Sequence, residues 1–250
     1  MRVMLLPVLL LLLGAAPKPM LVPDVSQRSV EIQYSFTGAE LLLFGAIIYP
    51  DGRPPKHPAD IVVVLKGPSQ SITMREKQKV AGIWLNATSA HFRSAPSYYA
   101  MASSRAIADI VDERTAAIYE LGVGKLQLSP SSLNVTDEIE RFQAGLVDLR
   151  RRSGLYVEAP GTVEITDGVL YRARLPLPAR VIVGTYTAET FLIQDGRVLA
   201  AAVREIEIHK SGFERFVAMA ADDWSILYGF VAIGFALFMG WIAGYAFRRK

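Results

Sequence analysis

The stretch Trp224–Phe247, WSILYGFVAIGFALFMGWIAGYAF, runs for 24 residues without a charge. As a helix it would be about 36 Å long, enough to cross the roughly 30 Å hydrocarbon core of a bilayer with some tilt. Asp222 and Asp223 precede it, and Arg248, Arg249 and Lys250 follow. Basic flanks stay on the cytoplasmic side of a membrane. The charges therefore predict a cytoplasmic C-terminus and place everything before Asp222 outside. Whatever else the chain folds into must hang from this one anchor.

The N-terminal end predicts a second targeting element. Arg2 opens a short positive region, Val3–Leu13 is apolar, and Gly14-Ala15-Ala16 offers small residues for cleavage. About a dozen apolar residues interrupted by Pro7 are too short to span, so residues 1–16 read as a signal peptide. Cleavage after Ala16 would leave Pro17 first, which is unfavourable, and an uncleaved N-terminal anchor is the alternative. No Cys follows, so a lipoprotein is ruled out.

The whole chain carries +3 and an isoelectric point near 9.1, with mean hydropathy +0.27. Five basic residues belong to the two ends. Between Pro19 and Asp223, 22 Lys and Arg face 24 Asp and Glu, a net of −2. A near-neutral body with both signs interspersed has no electrostatic footprint for nucleic acid. The absence of Cys excludes disulfides, thiol nucleophiles and Cys-ligated metal. A body of about 200 residues is long enough to be held by its own core. The setting that fits is the periplasmic side of a bacterial inner membrane.

That body divides into thirds. In residues 17–104, Val30–Phe36 alternates apolar and polar as a half-buried strand does. Leu41–Ile48 is continuously apolar and reads as a central strand buried on both faces. Ile61–Leu65 is β-branched and stops at Gly67-Pro68. Shorter strands are expected around Ile72–Met74, Ile83–Leu85 and His91–Arg93. In residues 105–153 the period changes. With Ser104 as N-cap, Ile107, Ile110, Val111, Arg114, Ile118 and Leu121 fall at helical spacing, and Gly122 is the stop. A second helix is capped by Thr136, carries Asp137, Glu138 and Glu140 in its first turn, buries Ile139, Phe142, Leu146 and Leu149, and closes on Arg150, Arg151 and Arg152, matching the helix dipole. The triple Arg is also compatible with a phosphate or headgroup site. In residues 154–211 strands return: Val163–Ile165 and Val169–Leu175 flank Asp167-Gly168, and Phe191–Ile193 and Val198–Val203 flank Asp195-Gly196, both hairpin signals. Val181–Thr187 and Glu205–Ile208 complete the set.

The expected fold is mainly β with α: an immunoglobulin-like β-sandwich ectodomain with a two-helix insertion, then a single C-terminal transmembrane helix. Two small β domains bridged by helices fit the same pattern. Residues 212–223 form a juxtamembrane helix, 224–247 the span and 248–250 a basic tail. In the span, Ala232, Ala236, Gly240 and Gly244 recur every four residues and include a GxxxG match. Lipid supplies no hydrophobic drive between helices, so a small-residue stripe lets a partner helix pack closely. The predicted partners are the bilayer and another membrane helix, from a second copy or a multi-span permease.

Catalytic patterns are missing. The three His, at 57, 91 and 209, are scattered, and no HExxH, GxSxG, P-loop or GxGxxG occurs. A metal site from Asp51, His57 and Asp60 has little support, and no cofactor or metal is expected. The stretch from His91 to Arg105 differs. His91, Arg93, Ser97, Tyr98, Tyr99, Ser103, Ser104 and Arg105 gather aromatics, hydroxyls and two Arg just ahead of a helix N-terminus. Helix N-termini and Arg bind small anions, so an anion or peptide site is the candidate here. Ordinary strand-to-helix packing is the plain alternative.

Gly82-Ile83-Trp84, Pro96-Ser97-Tyr98-Tyr99-Ala100, Ser103-Ser104-Arg105, Gly212-Phe213-Glu214, Leu227-Tyr228-Gly229 and the ending from Gly240-Trp241-Ile242-Ala243-Gly244 to Phe247-Arg248-Arg249 resemble the putative transmembrane protein family of alphaproteobacteria. The resemblance carries over no catalytic residue. It implies a place beside permeases of the sulfite-exporter type, hence an accessory role in transport. The alternative is a membrane-anchored periplasmic hydrolase with an unrecognised site.

Overall fold

The computed structural model describes residues 18–32, 37–55, 57–130, 136–210 and 213–247. The signal-peptide reading of residues 1–16, the end of the strand expected to reach Phe36 and the basic tail 248–250 lie outside them.

Two sheets enclose the core. The first holds β1 (Met20–Val25), β3 (Gly38–Ile48), β10 (Leu170–Pro178) and β9 (Glu164–Thr166), in that spatial order and antiparallel throughout. The second holds β2 (Ser29–Ile32), β12 (Arg197–Lys210), β11 (Gly184–Gln194), β4 (Asp60–Lys66), β7 (Tyr99–Ser103) and β8 (Tyr156–Pro160). Its outer pairs, β2–β12 and β7–β8, are parallel. Each sheet draws strands from both ends of the chain, and their inner faces form one cluster that includes Leu41, Leu43, Leu175, Leu177, Val63, Leu65, Tyr186, Leu192 and Ile206.

Strand patterning explains the layers. In β10 the sequence LYRARLPLP buries Tyr171, Ala173, Leu175 and Leu177 and exposes Arg172 and Arg174, the period-2 alternation of a sheet with one wet face. The expectation that Leu41–Ile48 is buried on both faces is corrected. Leu41, Leu43 and Ile47 face the core, while Phe44 and Ile48 stand exposed, because nothing covers the outer face of the four-stranded sheet among the described residues. β4 is the strand whose Ile61–Leu65 run is fully enclosed. At Gly45 a side chain is impossible: a Cβ would lie 2.5 Å from the Val22 carbonyl oxygen and 2.6 Å from the Tyr171 hydroxyl. Asp167-Gly168 and Asp195-Gly196 both adopt positive φ, as two-residue hairpin turns of this type require.

The three short strands expected between residues 72 and 93 are instead one long ribbon. β5 (Ser69–Val80) and β6 (Ile83–Pro96) pair antiparallel around an Ala81-Gly82 turn with positive φ at both residues. The two-helix insertion is also corrected. Residues 105–153 hold α1 (Ile107–Ile110), α2 (Glu113–Ile118), a 3-10 turn (Val123–Lys125) and α3 (Thr136–Arg152). The first expected helix breaks because Asp112 acts as a fresh N-cap, its carboxylate accepting from the Thr115 amide at 2.8 Å. Ser104 caps nothing; Ala106 precedes α1 without a side-chain cap. In α3 the buried stripe is Phe142 and Leu146, with Val147 half-buried; Leu149 is exposed. With Ala90, Phe92, Ala95 and Leu128, these residues form a second small core that clamps the base of the ribbon to α3.

After β12 come α4 (Phe213–Asp223) and α5 (Ser225–Phe247), joined through Trp224, whose amide bonds the Ala220 carbonyl at 3.2 Å. From Ser225 to Tyr245, α5 is long and apolar enough to cross a membrane, and none of it is buried against the rest of the chain.

Candidate functional site

The stretch from His91 to Arg105 does not form one site. His91 and Arg93 lie on β6, where the His91 ring meets Thr73 Oγ1 at 3.1 Å and Ser71 Oγ at 3.4 Å across the ribbon. Ser97, Tyr98, Tyr99 and Ser103 are buried in or beside β7. Tyr98 donates to the Pro176 carbonyl of the opposite sheet, and Ser103 donates to the Arg105 carbonyl at 2.5 Å. Ser104 Oγ donates to Asp60 at 2.7 Å, and Arg105 Nε donates to the same oxygen at 2.9 Å. Burial would raise the Asp60 carboxyl, but hydrogen bonds from Arg105 and Ser104 outweigh it and hold it below the usual range. Arg93 and Arg105 thus stand beyond opposite ends of β7, and the charge of Arg105 is already matched. Of the remaining site residues, Ala232, Ala236, Gly240 and Gly244 lie on α5, where nothing among the described residues comes within 4 Å of a Cβ built at either glycine. Asp222 and Asp223 end α4, while Arg248, Arg249 and Lys250 lie outside the described residues.

A cleft that the sequence did not announce lies at the last residue of β4. It is open, with a volume of about 380 Å3, and its walls are Lys66, Tyr119, Glu120, Gln127, Glu189, Phe191 and the edge of β12. Lys66 Nζ meets Glu120 Oε2 at 2.8 Å and Glu189 Oε2 at 3.2 Å. Strand register places Glu189 diagonally from Lys66 on the sheet, because Thr187 pairs with Lys66. Glu120 arrives from the loop after α2 in a left-handed conformation, φ 52°. The buried Tyr99 hydroxyl fixes that loop, donating to the Glu120 carbonyl at 2.7 Å and accepting from the Gly122 amide at 2.9 Å. The second carboxylate oxygen of Glu120 accepts from the Gln127 amide at 2.8 Å. Tyr119 and Phe191 meet edge-to-face at 5.4 Å and form the apolar wall.

Lys66 and Glu120 hold each other charged within the cleft. Burial works against a charged Lys66, yet the Glu120 hydrogen bond and the charges of Glu189 and Glu120 outweigh it and lift the ammonium above its ordinary value. Burial likewise works against a charged Glu120, yet the bonds from Lys66 and Gln127 carry its carboxyl below its ordinary value. Lys66 and Glu120 are both held charged at neutral pH, the reverse of what a group exchanging protons with substrate needs. One ammonium against two carboxylates gives the cleft a surplus negative charge. Among the described residues no group of three His, Asp or Glu is placed to hold a metal ion.

Over residues 20–249 the sequence matches the model of a family described as "Putative transmembrane protein". The chain belongs to that family. Curated proteins return no match to it. Membership and the one long apolar helix among the described residues agree in making this a membrane protein with a candidate span in α5 and a mostly β body.

Proposed function

We propose that the protein is a single-pass inner-membrane protein. Its β-rich body lies in the periplasm and acts as a non-catalytic binding or accessory module for a multi-span transporter of the sulfite-exporter type. The observation that carries the non-catalytic half of this reading is the pairing of Lys66 with Glu120, which holds both charged and leaves neither poised as an acid or base in this cleft. Its surplus negative charge disfavours an oxyanion and suits a cationic side chain of a partner. The accessory role therefore rests on holding the permease, not on capturing its anion.

The body reads as immunoglobulin-like. The order β1-β3-β10-β9 reproduces the A-B-E-D sheet of such sandwiches, and β12-β11-β4-β7 reproduces G-F-C with an added C′ strand. Tyr186 near the start of β11 donates to the Ile182 carbonyl four residues back at 2.8 Å, the tyrosine-corner contact of these folds. Burial pushes its phenol up to about 12, so it stays a donor.

The basic tail after Phe247 and the acidic pair before Trp224 support a cytoplasmic C-terminus. The stripe Ala232, Ala236, Gly240 and Gly244 is the surface on α5 for the partner helix. Extraction in mild detergent and copurification test the proposal. A permease recovered in stoichiometric amount, and lost with Gly240→Ile plus Gly244→Ile, is the expected result. Recovery of the chain alone, with turnover on an ester or phosphate panel, would overturn it in favour of an anchored hydrolase.

A further inference from the structure

The β5–β6 ribbon carries an apolar tip for which the fold has no use. Lys77 to Ala87 are all exposed. Val80, Ile83, Trp84 and Leu85 stand 49, 65, 66 and 50% accessible at the turn. Pairing of Gln78 with Leu85, Lys79 with Trp84 and Val80 with Ile83 puts Val80, Ile83 and Leu85 on one face, and Trp84 with Lys77 and Lys79 on the other. Those two lysines are the only charges between Lys77 and Ala87. A naked two-stranded tip with this composition is an association hazard unless something covers it.

Topology sets which way the ribbon leaves the sandwich. The ribbon prolongs the β4–β7 ladder: Lys66 pairs with Tyr99, the Gly67 amide bonds the Tyr98 carbonyl at 2.8 Å, and Ser69 pairs with Pro96. It leaves the sandwich at the end where β12 finishes. Thr187 pairs with both Lys66 and Glu205, and Gly184, which pairs with Ile208, comes so close to Pro68 that a Cβ there would lie 3.0 Å from its ring. β12 ends at Lys210, and the membrane helix begins fourteen to fifteen residues later. Two linking residues and the 11-residue α4 reach at most roughly 25–30 Å. The 12 residues of β5 reach roughly 40 Å from the same end. The ribbon is thus longer than the leash.

Resting on α5 as a membrane span, we propose that the β5–β6 tip dips into the headgroup region of the leaflet nearest the sandwich. It forms a second membrane contact that fixes the orientation of the body over the bilayer. Trp84 sits at the interface, as indoles do in membrane proteins. Val80, Ile83 and Leu85 enter the acyl boundary, and Lys77 and Lys79 meet anionic phosphates. The inference does not depend on which side of the membrane the body occupies.

The chain has no cysteine, so single introduced thiols report unambiguously. Nitroxides would be placed in the full chain at Ile83→Cys, at Ala236→Cys in α5, and at Arg197→Cys at the opposite end of the sandwich. Each would be reconstituted in phosphatidylethanolamine–phosphatidylglycerol vesicles and probed with oxygen and a nickel chelate. The expected result is an Ile83 label that is oxygen-accessible and nickel-protected like Ala236, while Arg197 is nickel-accessible. Adding Lys77→Glu with Lys79→Glu should return the Ile83 label to nickel. An Ile83 label as open to nickel as Arg197, with Ala236 still in lipid, overturns the proposal alone. Protection of Ile83 from both reagents overturns it in favour of a protein partner on the tip. Nickel access at Ala236 overturns the anchor reading and this inference with it.

Discussion

One ladder of paired strands runs from the middle of the sandwich out into solvent, and its two halves could hardly differ more. In the inner half, β4 with β7, Ile61–Leu65 and Tyr99–Ala102 are almost wholly inaccessible. In the outer half, β5 with β6, everything beyond Glu76 and Thr88 is open. The backbone pairing is the same; what changes is whether other layers cover the side chains. The inner half has β11 and β8 beside it and the first sheet in the same core. The outer half has α3 at its base and nothing at its tip among the described residues. A two-stranded ribbon is marginal alone, so the clamp by Phe142 and Leu146 is what lets the ribbon stand.

The inner half should be the costliest place to cut. Leu65→Ala removes a fully enclosed side chain from a strand packed on both faces. It should destabilise the body by about 3–4 kcal/mol. Chemical denaturation of the full chain in detergent micelles would show this as a lower midpoint with unchanged slope. Phe142→Ala should cost about 3 kcal/mol locally but act on the other half. Amide exchange in Ser69–Pro96 should accelerate strongly while Ile61–Leu65 stays protected. Equal acceleration in both would show that the ladder unfolds as one unit and that the contrast is one of exposure only.

The contrast also marks where sequence patterning speaks and where it is silent. β4 was legible because a run of β-branched residues bounded by Gly67-Pro68 has one sensible use. The Asp-Gly turns, the boundaries of α3 and the apolar α5 were legible for similarly local reasons. β5 was legible only around Ile72–Met74: Arg75-Glu76-Lys77-Gln78-Lys79 has no strand signal, and Ala81-Gly82 is a weaker turn signal than Asn-Gly or Asp-Gly. A charged strand paired only with its neighbour leaves no hydrophobic period. The Asp112 break between α1 and α2 was hidden because the apolar spacing continues straight across it. Nor could the cleft be read. Lys66, Glu120 and Glu189 come from a strand end, a left-handed loop residue and a distant strand, and only tertiary register brings them together.

Lys66 stands at the junction of the two halves, and removing it should have a smaller effect of about 1–2 kcal/mol, since its partners remain partly open to water. The pH dependence has a defined sign. The folded-state carboxyl of Glu120 lies below its ordinary 4.5. The stability it confers is complete above that ordinary value and is lost as pH falls through the depressed one. Lys66 lies above its ordinary 10.5, so its contribution is complete below that value and is lost as pH rises through the raised one. Lys66→Ala should therefore flatten both the acid and the alkaline limbs of a stability–pH profile. A profile identical to that of the parent would show that the Lys66–Glu120–Glu189 contact adds nothing to folding.

The smallest expected stability effect is at the tip, and it is the most informative about why the ribbon exists. Trp84→Ser removes a large aromatic that is 66% exposed and touches no core. It should change the free energy of unfolding by less than about 0.5 kcal/mol. A residue kept for packing would cost several times that on truncation, so a null effect on folding separates the tip from everything nearer the sandwich. If the tip meets lipid, the loss must surface elsewhere. With the body no longer tied at a second point, an Ile83 label in Trp84→Ser vesicles should move toward the nickel reagent while the Ala236 label stays in lipid. A loss of about 2 kcal/mol or more in unfolding free energy would instead return Trp84 to the core and erase the distinction between the two halves of the ladder.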